Sequence, residues 1–311
     1  LEISATIGVA LIDANTQSSA SILSESELAR DTAKDLGKNR VHVFQSEDGE
    51  LLRRKDQMQW VTRIKSALRE DRFVIYGQPI VPLQDSSVPH HIEILLRLQD
   101  EDGSILTPWT FLPAAERYHL MPEIDRWVVN QTLTMLSEQN NRHAGMQIKV
   151  AINLSGQSLG NEEFLDFLLH RLDQVDFSLE NICFEVTESA AISNLAEAQH
   201  FMSVLKEKGC RFSLDDFGTG LSSFAYLKNL PVDYLKIDGS FVKEIVNDPI
   251  SDAMVSAINQ VGQVMGLKTI AEFVENDAIK DHLKKLGVNY AQGYGVGKPR
   301  PILEQLEDML Q

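Results

Sequence analysis

The stretch ICFEVTESAAISNLAEAQHFMSVLKEKGCRFSLDD, Ile182 to Asp216, decides how the chain folds. It opens with a short apolar run, Ile182–Val186, and passes through a helix-length stretch, Leu195–Lys208. It then returns to a second run, Arg211–Leu214. Short β-prone runs alternating with helical stretches predict a parallel sheet whose crossovers are helices. Each run also meets a carboxylate at its end: Glu185 in the first, Asp215 and Asp216 in the second.

Outward from this unit the alternation continues. Upstream lie Phe73–Val81, Ile92–Leu98 and Ile148–Asn153; downstream lie Tyr234–Ile237, Lys268–Ala271 and Asn289–Ala291, which makes eight runs. Helical stretches at Pro122–Gln139, Glu162–Gln174, Ile250–Met265 and Ala278–Leu286 separate most of them. Eight repeats predict an α/β fold closed into a TIM-like (β/α)8 barrel. Only about ten residues, Pro82 to His91, join the first two runs, whereas a parallel crossover needs a dozen or more. The first strand is therefore expected to be irregular and antiparallel.

The N-terminal part reads differently. A strand over Ile3–Ile12, a helix over Ser24–Leu36 closed by Gly37, and a strand over Arg40–Phe44 are too little to enclose a core. A charged segment from Gln45 leads into a connecting helix around Met58–Glu70. The expected organisation is residues 1–46, a connector at 47–62, and the barrel at 63–311. A start at Leu1, inside a strand, is the start expected of a fragment of a longer protein.

Apolar residues make up 43% and charged residues 24%, as in ordinary soluble globular proteins. Lys and Arg number 29 against 45 Asp and Glu, a formal charge of −16, which argues against duplex nucleic acid as a partner. A small phosphate ligand stays open, because divalent cations can supply local positive charge. Cys183 and Cys210 form no metal or redox motif, and no apolar run reaches the roughly 20 residues of a membrane span. A cytoplasmic setting with no membrane contact is expected.

Successive runs finish in residues able to bind a metal or a phosphate: Asn153, Glu185, Asp215 with Asp216, Lys236, Glu272 and Gln292. Glu93, within IEILLRL, would join them. In such barrels the active site lies at the C-terminal mouth of the strands. Any one of these carboxylates reads equally well as the N-cap of the next helix, and Asp215–Asp216 as a turn. Crowded together they would repel one another and raise their own pKa values unless cations neutralise them. Oxygen donors without Cys or His favour Mg²⁺ or Mn²⁺ over Zn²⁺. Adjacent aspartates suit a two-ion centre, which activates water for in-line displacement at phosphorus. A nearby lysine can orient that water or offset phosphate charge.

At these residues the sequence resembles the EAL-type cyclic di-GMP phosphodiesterases. The Glu-Ala-Leu signature stands here as Glu93-Ile94-Leu95. It is joined by YGQPIV (Tyr76–Val81), AINLS (Ala151–Ser155), FEVTES (Phe184–Ser189) and DDFGTGLSSF (Asp215–Phe224). LKIDGSFV (Leu235–Val242), AEFVE (Ala271–Glu275) and AQGYGVGKP (Ala291–Pro299) complete the set. The resemblance implies cleavage of cyclic di-GMP to linear 5′-pGpG. It implies Glu93, Asn153, Glu185 and Asp215 as ligands of one ion, Asp215 and Asp216 as ligands of a second, and Glu272 as holding a water of the metal centre. Lys236 would position or deprotonate the nucleophilic water. Gln78, Arg97, Glu275 and Gln292 would contact substrate, and Glu188 would anchor a mobile loop that Gly218–Gly220 permit. Ca²⁺ is expected to inhibit, and a homodimer is expected. No catalytic position is lost, which favours an enzyme over a catalytically silent receptor of the same nucleotide. SATIGVA (Ser4–Ala10) and AKDLGKNRVHVF (Ala33–Phe44) resemble the back half of a GGDEF diguanylate cyclase domain without its signature.

Three further patterns carry less. Asp216-Phe217-Gly218 lacks the glycine-rich loop a kinase needs. Gly293–Lys298 lacks Walker A spacing and is expected to close the barrel. His90 and His91 are expected on an exposed hairpin turn, and Cys183 is expected to face inward as a small buried side chain.

Overall fold

A computed structural model of the chain describes residues 5–12, 18–35, 39–45, 59–85, 91–142, 148–218 and 226–310. By contacts it divides into Leu1–Ser66 and Ala67–Gln311. In the first unit β1 (Ile7–Val9) pairs in parallel with β2 (Val41–Val43), and a helix spans Ser19–Asp35. Ala29 and Ala33 of that helix are buried, while Ile7, Val41 and Val43 are exposed. Most of the connector expected at 47–62 lies outside the described residues, and residues 59–69 are helical.

The second unit is the closed barrel. Its strands are β3 (Phe73–Pro82), β4 (His91–Gln99), β6 (Lys149–Asn153), β7 (Ile182–Thr187), β8 (Arg211–Phe217), β9 (Tyr234–Ile237), β10 (Lys268–Ala271) and β11 (Tyr290–Gln292). Two short strands, β5 (Ile105–Leu106) and β12 (Arg300–Pro301), extend β4 and β3. The order β3-β11-β10-β9-β8-β7-β6-β4 closes on itself through the β3–β4 pairing. Every neighbour pair in this ring is parallel except the two made by β3, which runs antiparallel to both β4 and β11. The short link after β3 dictates this, since it has no room for a crossover.

The crossover helices begin where the sequence supplies caps. Asn161 accepts from Phe164 N ahead of the helix Glu162–Leu172, and Asn276 accepts from Ile279 N ahead of Asp277–Leu286. Asp248 accepts from both Ile250 N and Ser251 N, with Pro249 in the first turn of Pro249–Val264. The helices Met121–Arg142 and Leu195–Glu207 also lie where the alternation places them. Pro108–Arg117, which contains Pro113, and Ile302–Leu310 are helices that the strand–helix alternation does not mark.

Inside the barrel, away from the mouth, Ile80, Ala151, Cys183, Tyr234, Ile270 and Tyr290 form one buried cluster. Cys183 faces inward as its parity with Glu185 requires. His91 departs from expectation. It is a buried residue of β4, its ring 4.7 Å from Tyr290 and 5.3 Å from Tyr234. Pairing along β3 and β6 draws it into the strand, where its ring fills space between two tyrosines. His90 lies outside the described residues. Closure itself is made by the pairings of β3 with β4 and β11, and the Gly293–Gly297 loop packs beside them. A Cβ at Gly293 would overlap the Val274 backbone, and Gln78 Nε2 donates to Gly297 O at 3.0 Å, tying the loop to β3.

Candidate active site

Barrel closure brings the strand-end residues to one point, and a lysine sits at its centre. Lys236 on β9 is fully buried. Its Nζ lies 3.0 Å from Glu185, 3.0 Å from Glu272, 3.2 Å from Asp215 and 3.5 Å from Glu93. Asn153 Nδ2 donates to Glu93 Oε1 at 2.7 Å, so its Oδ1 is the atom left to ligate. Gln292 Nε2 donates to Glu93 Oε2 and to Gln78 Oε1.

Asp215 and Asp216 owe their joint orientation to an irregularity. In a regular strand adjacent side chains point to opposite faces. Between β8 and β9 the register shifts: Leu214 pairs with Leu235, but Phe217 pairs with Ile237, so β8 carries one extra residue. Asp216 takes φ 55°, a left-handed conformation rare outside glycine. Carboxylate oxygens of Asp215, Asp216 and Glu272 consequently lie within 4.8 Å of one another. Backbone strain of this kind gathers at functional sites.

Four carboxylates share one ammonium, and their protonation shows the imbalance. Burial works against the charged form of Lys236, yet Asp215, Glu185, Glu272 and Glu93 together raise its pKa well above the ordinary lysine value. Burial drives the Glu185 carboxyl well above the usual range, with Lys236 opposing and Glu93 and Asp215 reinforcing. Burial likewise pushes Glu272 up to about 8 against the pull of Lys236. Asp216 is raised by burial and by Asp215. Glu93 alone moves down: burial pushes it up, but Lys236 and the Gln292 and Asn153 hydrogen bonds outweigh that. Glu185 Oε1 is buried without a hydrogen-bond partner. A crowd of hard oxygens, one of them orphaned, fits a divalent cation.

With divalent cations chelated, stability is expected to fall as pH rises from 4.5 to about 8. Across that window Glu272 holds a proton in the fold that it releases on unfolding, and Glu185 moves in the same direction. A divalent cation that binds only the folded chain should remove this slope and, at a hundredfold over its Kd, restore about 3 kcal/mol. Urea midpoints measured across that range, with and without the cation, check this. Identical profiles would reject the metal reading of the cluster.

Beside the cluster opens a cavity of about 490 Å³, the size of a small-molecule site. Gln78, Glu93, Arg97, Glu272, Glu275 and Gln292 line it, so the residues expected to meet substrate share one space. Sequence reasoning missed Leu95, Trp109, Lys243, Phe273, Tyr294 and Pro299, which line it too. The available signal was aromatic residues in segments that follow barrel strands, on the face where such sites lie. Glu188 stands apart. Buried at the start of the helix Glu188–Ser193, it accepts from Gly218 N at 3.0 Å and from the Tyr226 hydroxyl. It thus holds both described ends of the segment 218–226. Gly220 of the expected mobile loop lies outside the described residues.

The EAL domain family model matches residues 61–299. The cyclic di-GMP phosphodiesterase PdeB of Shewanella oneidensis is 40% identical over 301 residues, covering 97% of this chain and 35% of that protein. The bifunctional diguanylate cyclase/cyclic di-GMP phosphodiesterase MucR of Pseudomonas aeruginosa is 34% identical over 307 residues, covering 98% of the chain and 44% of MucR. The chain thus spans less than half the length of these relatives. The solved PaMucR phosphodiesterase in complex with c-di-GMP superposes with a TM-score of 0.73 at 33% identity, over 80% of this chain and 99% of that one.

Proposed function

Because the chain belongs to the EAL domain family, we propose that it is a metal-dependent phosphodiesterase that opens cyclic di-GMP to linear 5′-pGpG. The observation that carries this reading is the buried Lys236 ringed by Glu93, Glu185, Asp215 and Glu272 beside the cavity. Glu93, Asn153, Glu185 and Asp215 would hold one ion, and Asp215 with Asp216 a second. Mg²⁺ or Mn²⁺, when bound, supplies positive charge to the phosphate and acidifies the attacking water. Ca²⁺, with its looser coordination, would inhibit.

The chain's own residues do the rest. Lys236, within 3.5 Å of the carboxylates that would hold the ions, would position or deprotonate the nucleophilic water. Glu272 accepts from the water and aligns it. Gln292 and Gln78 fix the Glu93 carboxylate, while Arg97 and Glu275 face the ligand from the cavity wall. Glu188 keeps Gly218, and with it Asp215–Asp216, in place. Water oxygen bonds to phosphorus, one ester P–O bond breaks, and the departing 3′ oxygen takes a proton to become the free hydroxyl.

Residues 1–46 fit the same proposal as the end of a GGDEF domain, with a connector at 47–62 and the barrel at 63–311. Alignment with MucR across 98% of the chain supports this. A homodimer is proposed on the family resemblance, and a cytoplasmic setting on two cysteines that form no redox or metal motif. Among the described residues no helix is long and apolar enough to cross a membrane.

Chromatography of cyclic di-GMP incubated with the protein tests the function. Linear product is expected with Mg²⁺ or Mn²⁺ and none with EDTA. Tight binding without product under either metal would replace the enzyme with a receptor.

A further inference from the structure

Trp109 is out of place as a structural residue. It is 88% exposed, and among the described residues it makes no hydrogen bond, ion pair or ring contact. Trp127 shows what a structural tryptophan does here: its ring packs 5.6 Å from Phe73 and its Nε1 donates to Asp71 at 2.9 Å. Leaving a large aromatic face in water forgoes the stabilisation its burial would bring. Trp109 therefore adds little to the fold that other residues do not already supply.

Its position is nevertheless well held. Thr107 is extended, with φ −84° and ψ 157°, and Pro108 occupies the first turn of the helix Pro108–Arg117. Proline fixes its own φ and is at home in that turn. The ring is thus carried on a rigid helix start at the wall of the cavity. Two chemistries line that cavity: polar Glu93, Glu272, Gln78 and Gln292, and apolar or aromatic Trp109, Leu95, Phe273 and Tyr294. A nucleotide ester offers the same two chemistries, an anionic phosphodiester and a flat base. Aromatic side chains are the usual platforms for bases.

Resting on the cyclic di-GMP reading above, we propose that Trp109 is the face on which one guanine base stacks. It then sets affinity for the purine nucleotide and acts little on the chemical step. An interaction made equally in ground and transition states appears in KM and not in kcat.

Trp109→Ala and Trp109→Phe in the full chain test this. The alanine variant should raise KM for cyclic di-GMP about tenfold while kcat changes far less, and phenylalanine should recover most of the loss. The chain has three tryptophans, Trp60, Trp109 and Trp127. Added pGpG should quench the emission of the wild type and leave that of Trp109→Phe unchanged. An unaltered KM in Trp109→Ala, or quenching that persists in Trp109→Phe, overturns the proposal. A wild type that binds and quenches without turnover would count against the phosphodiesterase reading and leave the placement of Trp109 standing.

Discussion

Glu93→Ala should lower turnover of cyclic di-GMP roughly a thousandfold or more, the scale of losing an electrostatic contact to the transition state, while the protein still unfolds cooperatively near the wild-type temperature. Glu93 is buried on β4 and receives hydrogen bonds from Asn153 and Gln292, so its carboxylate is set in one orientation. Removing it takes an oxygen donor from the proposed centre. It also frees Asn153 and Gln292, which are the supports of that donor. A thousandfold loss corresponds to about 4 kcal/mol of transition-state stabilisation. The fold is expected to survive for an electrostatic reason. One anion fewer around Lys236 relieves repulsion among Glu185, Asp215 and Glu272, which keep the ammonium paired. Turnover within tenfold of wild type, in protein with a normal melting transition, would remove Glu93 from the ligand set.

Lys236→Met should do the opposite to stability while also removing activity. Methionine matches the length of lysine without its charge, leaving the buried Glu185 and the partly buried Glu272 without their counter-charge. Breaking a buried ion pair by deleting one partner costs about 3–5 kcal/mol. The sign with pH follows from the protons. Without the ammonium the carboxyls hold their protons to still higher pH in the fold, so the loss is small in mild acid and grows as pH rises. A divalent cation should recover the stability but not the turnover, because nothing then orients the nucleophile. Denaturant titrations in EDTA in mild acid and mild alkali, repeated with Mn²⁺, measure both effects. Wild-type stability of Lys236→Met at alkaline pH in EDTA would show that Lys236 is not the counter-charge of the cluster.

These expectations rest on features that were unequally visible in the chain itself. The eight strand-like runs and the helices between them were readable because burial imposes local periodicity. The antiparallel first strand was readable from the length of one link. The strand-end set Glu93, Asn153, Glu185, Asp215, Lys236, Glu272 and Gln292 was readable because side-chain direction alternates along a strand, and closure must bring strand ends together. His91 was misread: hairpin position suggested exposure, and only pairing on both sides with aromatic neighbours across the barrel shows it buried. Phe273 and Tyr294 escaped because segments between elements carry no periodicity from which a facing direction follows, and Trp109 because its helix, Pro108–Arg117, falls outside the strand–helix alternation.

By itself, then, the sequence determined which residues lie on strands, which side they face, and that the chain must close into a barrel. All of that follows from eight strand-like runs alternating with helical stretches, from strand parity, and from one link length. Tertiary structure alone decided how near those residues come. Two adjacent aspartates in a regular strand would part to opposite faces, and one extra residue in β8 with a left-handed Asp216 turns both toward Glu272. Lys236 meets four carboxylates carried on or just after four other strands, a coincidence of distances that no local pattern contains. Local chemistry sets direction; the closed hydrogen-bonded ring sets separation, and the site depends on separation.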